Sequence, residues 1–112
     1  MTSAAINGNR FHVENPEIQP EPEWGRNGIV IYQNSFPLIE NNIFEKLNRA
    51  IYFLEDSKNK YEKDKKTIVR NNTIKKCEAA FGLNPKFPMD SVVREGNVLT
   101  NNNKTEIMEG RD

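Results

Sequence analysis

The side chains that could do chemistry in this sequence are few and lie far apart along the chain. His12 is the only histidine and Cys77 is the only cysteine. One histidine cannot form a two-histidine metal site, and one cysteine cannot form a thiolate cage within one chain. Cys77 falls on the inner side of a predicted helix, which is typical of a buried structural thiol and not of a nucleophile. The sequence therefore predicts neither a metal site nor thiol chemistry.

Two further kinds of catalytic pattern are missing from the sequence. The acidic residues fall in predicted arms or on the outer face of a predicted helix, whereas paired-carboxylate catalysis needs two acids in one cleft. Gly25 and Gly28 are not followed by the lysine and hydroxyl of a phosphate-binding loop. We therefore predict that the protein is not an enzyme and that it takes no cofactor.

Charge is balanced overall but is unevenly distributed along the chain. The formal net charge is zero, which argues against coating nucleic acid or a membrane through overall charge. From Lys58 to Lys76 there are eight basic residues against Glu62 and Asp64, which leaves the rest of the chain acidic. This basic stretch could bind phosphates, meet an acidic protein surface or be solvated, and the sequence leaves these alternatives open.

The elements that must position these residues begin with one short strand. Gly28 to Gln33 is rich in β-branched residues and predicts that strand. Asn42 followed by Glu45 has the pattern of a capped helix start, and apolar residues then recur at spacings of four and three. The positions of this stripe are Ile43, Leu47, Ala50, Leu54, Ser57 and Tyr61. The pattern predicts a long central helix that is amphipathic.

Shorter elements are predicted after the central helix. Ile74 to Phe81 predicts a second, short helix, which Gly82 would end. Val92-Val93 and Val98-Leu99 predict the two strands of a small hairpin near the C-terminal end. The expected fold is therefore mainly α with minor β, and no internal repeat is visible at a fixed period.

The organisation predicted for the chain has three parts. Residues 1–27 combine prolines with acidic residues and predict an extended arm. Residues 28–99 would form a small α+β core, and residues 100–112 a polar C-terminal tail. No apolar run approaches the roughly 20 residues of a membrane helix, and the first residues lack the pattern of a signal peptide. We expect a cytoplasmic protein or a component of a virion.

The function predicted from these patterns is that of a non-catalytic structural or interaction subunit in a larger assembly, and a viral particle would fit. The arm and the amphipathic helix would bind other protein subunits, in a homo- or hetero-oligomer. The alternative is a small regulator or inhibitor that binds an acidic protein surface or nucleic acid through the basic helix. The predicted partner-binding residues are Phe11, Val13, Ile18, Trp24, Ile29, Ile31, Phe44, Ile51, Lys63, Lys65, Lys66 and Arg70.

Overall fold

A computed structural model describes residues 5–12, 27–32, 35–54 and 65–108, and these residues form short parallel strands. The strands are β1 (Ala5–Asn7), β2 (Arg10–His12), β3 (Asn27–Tyr32), β4 (Leu38–Glu40), β5 (Ile43–Glu45), β6 (Arg49–Leu54), β7 (Thr67–Arg70), β8 (Thr73–Lys75), β9 (Ala79–Leu83), β10 (Val92–Glu95), β11 (Val98–Thr100) and β12 (Lys104–Met108). One 3-10 turn, Met89–Ser91, precedes β10. The described part of the chain contains no α-helix and no helix long and apolar enough to span a membrane.

The strands lie in three sheets of four, ordered β1-β4-β7-β10, β2-β5-β8-β11 and β3-β6-β9-β12. Each group of three consecutive strands places one strand in each sheet, so the chain winds through coil 1 (β1–β3), coil 2 (β4–β6), coil 3 (β7–β9) and coil 4 (β10–β12). Every strand of coils 1 to 3 pairs in parallel with the equivalent strand of the next coil; for example, Phe44 is in register with Ile74. The architecture is a parallel β-helix, a solenoid in which each coil contacts its neighbours.

The interior of the solenoid is filled by apolar side chains from all three sheets. Residues of β7 alternate between buried and half-buried, which is the two-residue period of a strand with one face in a core. Aromatic rings stack inside: Phe11 and Phe44 lie 4.9 Å apart and nearly parallel, and Phe53 meets Phe87 edge-on at 5.3 Å. The fully buried large apolar residues are Ile31, Ile39, Phe44, Ile51, Phe53, Val69 and Ile74.

The prediction of a mainly α fold is wrong. The segment predicted to begin the long helix at Asn42 forms β5 and β6, and the predicted second helix, Ile74 to Phe81, lies in β8, a turn and β9. The helix-like spacing has a physical cause in the corners of the coil. Phe44, Leu47 and Ala50 all point into the core at three-residue spacing because a turn separates β5 from β6 and interrupts the alternation.

The strands themselves were partly predicted, but their partners were not. The predicted strand Gly28 to Gln33 corresponds to β3, which pairs with β6 through Ile29 and Ile51 and not with residues 92–99. The segments predicted as a hairpin form β10 and β11, which lie in different sheets and each pair with the preceding coil. Within the predicted arm and tail, the described residues 5–12 and 104–108 form β1, β2 and β12.

Candidate interaction surface

An asparagine occupies the turn between the first and second strand of all four coils: Asn9, Asn42, Asn72 and Asn97. The backbone N–H of each of the first three asparagines donates to Oδ1 of the asparagine in the next coil. These distances are 2.9 Å from Asn9 to Asn42, 3.0 Å from Asn42 to Asn72 and 3.0 Å from Asn72 to Asn97. The four residues therefore form one continuous asparagine ladder along the described solenoid.

The amide groups of the ladder also hold neighbouring strands together. Nδ2 of Asn42, Asn72 and Asn97 donates to a strand carbonyl of the preceding coil, at 2.9, 3.1 and 3.0 Å. Those carbonyls belong to Ile6, Ile39 and Val69. Asn42 and Asn72 are 1% and 0% exposed, so their amides need these partners to offset the loss of water. Every buried side-chain nitrogen or oxygen in the described residues has a hydrogen-bond partner.

The residue before each ladder asparagine adopts a left-handed backbone conformation. Gly8, Asn41, Asn71 and Gly96 have φ angles of 73°, 58°, 56° and 67°. Glycine and asparagine are the residues that tolerate this region best, because glycine lacks Cβ and asparagine bonds locally. A short Gly/Asn-Asn signature therefore marks the same corner of every coil.

Coil 4 ends the described stack with a charged pair across the interior. Arg94 is in register with Val69, and Glu106 with Phe81, so both charged residues occupy core positions of the coil. The Arg94 guanidinium lies 5.0 Å from the centre of the Phe81 ring and forms an ion pair with Glu106. A pocket of about 370 Å³ opens beside this pair, lined also by Asn97 and Leu99.

Coil 4 also carries exposed apolar side chains. Val98, Leu99 and Met108 are 57%, 39% and 64% exposed. Among the described residues, no strand pairs with the outer edges of β10, β11 and β12. We call the edges of these three strands, together with Arg94, Val98, Leu99, Glu106 and Met108, the end surface.

Basic residues from three coils meet on the outside of the second sheet and its following turn. Glu45 is in register with Lys75 and with His12 in this sheet, and Arg10 lies two residues before His12. Lys46 and Lys76 follow at equivalent turn positions with φ angles of 61° and 56°. Arg10 donates to Glu45 at 2.9 Å. This hydrogen bond lowers the pKa of Glu45, burial opposes the shift, and the charges of Lys75 and Lys46 favour it. Arg10, Lys46, Lys75 and Lys76 form what we call the cation cluster.

The residues predicted to bind a partner do not form one surface among the described residues. The structure places Ile31, Phe44 and Ile51 inside the solenoid, at 1% exposure or less, and Phe11 and Ile29 are half-buried against the same core. Val13, Ile18, Trp24 and Lys63 lie outside the described residues. Apolar residues that were predicted to contact a partner therefore pack against other coils of the same chain.

The basic stretch does not form one surface in the part of the chain that is described. Lys65 is half-buried, Lys66 donates to the carbonyl of Asp90 at 3.0 Å, and Arg70 pairs with Glu40 in the first sheet at 2.8 Å. Lys75 and Lys76 instead join Arg10 and Lys46, which are distant in sequence. The stacking of coils therefore brings together a charge cluster that the linear charge count did not indicate.

The two residues singled out for chemistry also lie apart. His12 is exposed at the end of β2, whereas Cys77 is 2% exposed, and its burial raises the pKa of the thiol. In the described ranges, no three histidine, cysteine, aspartate or glutamate side chains come together as a metal site would require.

The comparison with family models agrees with this architecture. Residues 2–111 match the model described as the right handed beta helix region. The match covers nearly the whole sequence, so the chain belongs to the right-handed β-helix family. Neither the comparison with curated proteins nor the comparison with solved structures found a significant match.

Proposed function

We propose that this chain is a non-catalytic assembly module that binds another protein subunit through its end surface. The observation that carries the proposal is the set of strand edges in coil 4 with which no described strand pairs, beside the exposed side chains of Val98, Leu99 and Met108. Strand edges present rows of backbone donors and acceptors that another chain can pair with. A subunit that adds strands here would bury these side chains as well as satisfy the backbone.

The organisation of the polar side chains also supports a structural role. The most deeply buried amides, those of Asn42 and Asn72, are engaged in holding coils together. The interior contains stacked aromatic and aliphatic side chains, which favour rigidity of the stack. A rigid rod with an adhesive end suits a component of a particle, including a viral one, that must hold neighbours at a fixed distance.

Site-specific photo-crosslinking in the cells that make the protein tests this proposal. A photo-reactive amino acid at Leu99, which is in register with the buried Ile74 and lines the pocket beside Arg94 and Glu106, would lie on the end surface. The matched control at Ile43 has the same exposure, 39%, but lies on the side of coil 2. We expect covalent adducts with a second polypeptide from position 99 and not from position 43. Adducts from neither position, or equally from both, would contradict binding through the end surface.

A second candidate function uses the cation cluster. Four basic side chains around Glu45 could bind an acidic macromolecule, either an acidic protein surface or nucleic acid, as a small regulator would. In the variant with Lys46→Gln and Lys76→Gln, we expect weaker binding to single-stranded DNA or polyglutamate and a shallower dependence of affinity on salt. Binding with an unchanged salt dependence would exclude the cluster as the contact.

A further inference from the structure

The asparagine ladder has complementary ends. At coil 4, the N–H of Asn97 has no acceptor among the described residues, although the same group in Asn42 and Asn72 donates to the next coil. At coil 1, Oδ1 of Asn9 accepts no hydrogen bond from the described residues, although the same atom in the other three asparagines accepts one. Successive coils are joined by a hydrogen bond from an asparagine N–H to the next asparagine Oδ1. Coil 4 therefore offers the donor of such a bond, and coil 1 offers the acceptor.

The amide nitrogen of Asn9 shows the same complementarity. In coils 2 to 4, Nδ2 donates to a strand carbonyl of the coil before it. Nδ2 of Asn9 instead donates to the carbonyl of Asn7 in its own turn, at 3.2 Å, and to Oδ1 of Asn42, at 3.3 Å. The equivalent carbonyl in coil 4 is that of Arg94, three residues before Asn97, as Val69 is three residues before Asn72. Coil 4 thus carries the kind of strand carbonyl that no described coil supplies to Asn9.

We propose that the partner bound at the end surface is a second copy of this chain, which stacks its coil 1 on coil 4 and continues the asparagine ladder from Asn97 to Asn9. This inference rests on the proposed function, since it names the occupant of the same surface. The contact is head-to-tail, so each added copy presents a new coil 4 and the assembly grows as an open rod.

The side chains that would meet follow from the register. With Asn9 placed after Asn97, Phe11 lies over Leu99, and Ile6 and Ile29 lie over Arg94 and Glu106. The apolar contact favours stacking, whereas enclosing an ion pair removes it from water at a cost. Inward-pointing charges are also a common means of limiting association at strand edges. Arg94 and Glu106 therefore keep the stacking weak and reversible.

Analytical ultracentrifugation of the full chain over a wide concentration range tests the proposal. We expect the average mass to rise steadily with concentration and to pass the dimer without a plateau. Asn9→Ala should weaken self-association at least fivefold, because it removes both the acceptor for the N–H of Asn97 and the donor to the Arg94 carbonyl. Replacing both Arg94 and Glu106 with leucine should strengthen it at least tenfold. Asn103→Ala, an exposed change on coil 4 outside the ladder, should leave it unchanged.

Two blocked variants test the direction of stacking. Leu99→Arg blocks the coil 4 end and Phe11→Arg blocks the coil 1 end, so each alone should remain monomeric. Mixed together, they should form a one-to-one dimer and nothing larger, because only one compatible pair of ends remains. Circular dichroism of each variant checks that it is folded, and the Asn9→Ala and leucine variants test the same contact if either blocked chain unfolds.

The outcomes separate this inference from the proposed function. A chain that stays monomeric at all concentrations, or that stops at a dimer, overturns head-to-tail stacking. If position 99 then crosslinks to a different polypeptide, the assembly module stands with another partner. If position 99 gives no adduct either, both proposals fail.

Discussion

Asn72 is the residue through which coils 2, 3 and 4 are joined at one corner. Its Oδ1 accepts from the N–H and Nδ2 of Asn42, while its own Nδ2 donates to the Ile39 carbonyl and to Asn97 Oδ1. Because its side chain is fully buried, water cannot replace these partners. The amide therefore contributes more to stability than an exposed asparagine could.

Replacing Asn72 with alanine should lower the free energy of unfolding by about 3 kcal/mol, since it leaves the Asn42 N–H and the Ile39 carbonyl of coil 2 without partners. Thermal or urea unfolding measures the change. The matched control is Asn103→Ala, whose side chain is exposed and bonds only to Glu78, and which should change stability by less than about 0.5 kcal/mol. Equal losses in the two variants would contradict a stabilising role for the ladder.

Glu45 should make stability depend on pH in the acid range. Its hydrogen bond from Arg10 lowers its pKa in the folded chain below the ordinary value of 4.5. The stabilisation is therefore present above pH 4.5 and is lost as the pH falls through the folded pKa. Thermal unfolding of the native chain and of Glu45→Gln should differ near neutral pH and converge in acid, and Arg10→Gln should behave like Glu45→Gln. A difference that persists unchanged into acid would contradict this assignment.

At the scale of elements, a strand can be predicted from the sequence where its run of β-branched residues is long enough to be recognised without knowledge of its partners. β3 was predicted for this reason, whereas β4, β5 and β8 have only three residues each. Three residues contain too little alternation to be distinguished from a helix turn. The corner between β5 and β6 then adds a spacing of three that resembles a helix, so the helical interpretation was favoured.

The elements of the end surface were predicted in part. The strands β10 and β11 were expected at Val92-Val93 and Val98-Leu99, but as a hairpin. A hairpin and a β-helix corner both need a left-handed residue, which Gly96 supplies with a φ of 67°. The hairpin and the β-helix corner differ in their pairing, because β10 and β11 pair with coil 3, whose ladder residue Asn72 lies 25 residues before Asn97. Local sequence patterns carry no information on so distant a partner.

Gly28 fixes how closely β3 approaches its neighbours. A Cβ at this position would lie 2.5 Å from the carbonyl oxygen of Ala50 and 2.7 Å from the Phe44 ring. Gly28→Ala should therefore push β3 away from β6 and lower stability by about 1–3 kcal/mol. Val30→Ala, an exposed change in the same strand, should cost far less. Unfolding measurements that rank the two variants in the reverse order would contradict the close contact.

At the scale of the whole molecule, stability should decrease towards coil 4. Coils 2 and 3 are each paired on both sides, whereas coil 4 is paired on one side within the described chain. In a solenoid, local opening therefore begins most easily at an end. Amide exchange monitored by mass spectrometry should be slowest in β6 and β9 and faster in β12. Uniform exchange rates across these strands would indicate that the coils open together.

The unequal spacing of the ladder asparagines bears on how such a chain can change over generations. Successive ladder residues are 33, 30 and 25 positions apart, yet they form the same hydrogen bonds. Insertions and deletions between the paired strands are thus compatible with an unaltered corner, because the ladder constrains only a few residues per coil. A gene of this kind can gain or lose sequence between strands while the solenoid keeps its cross-section, which leaves the intervening segments open to independent selection.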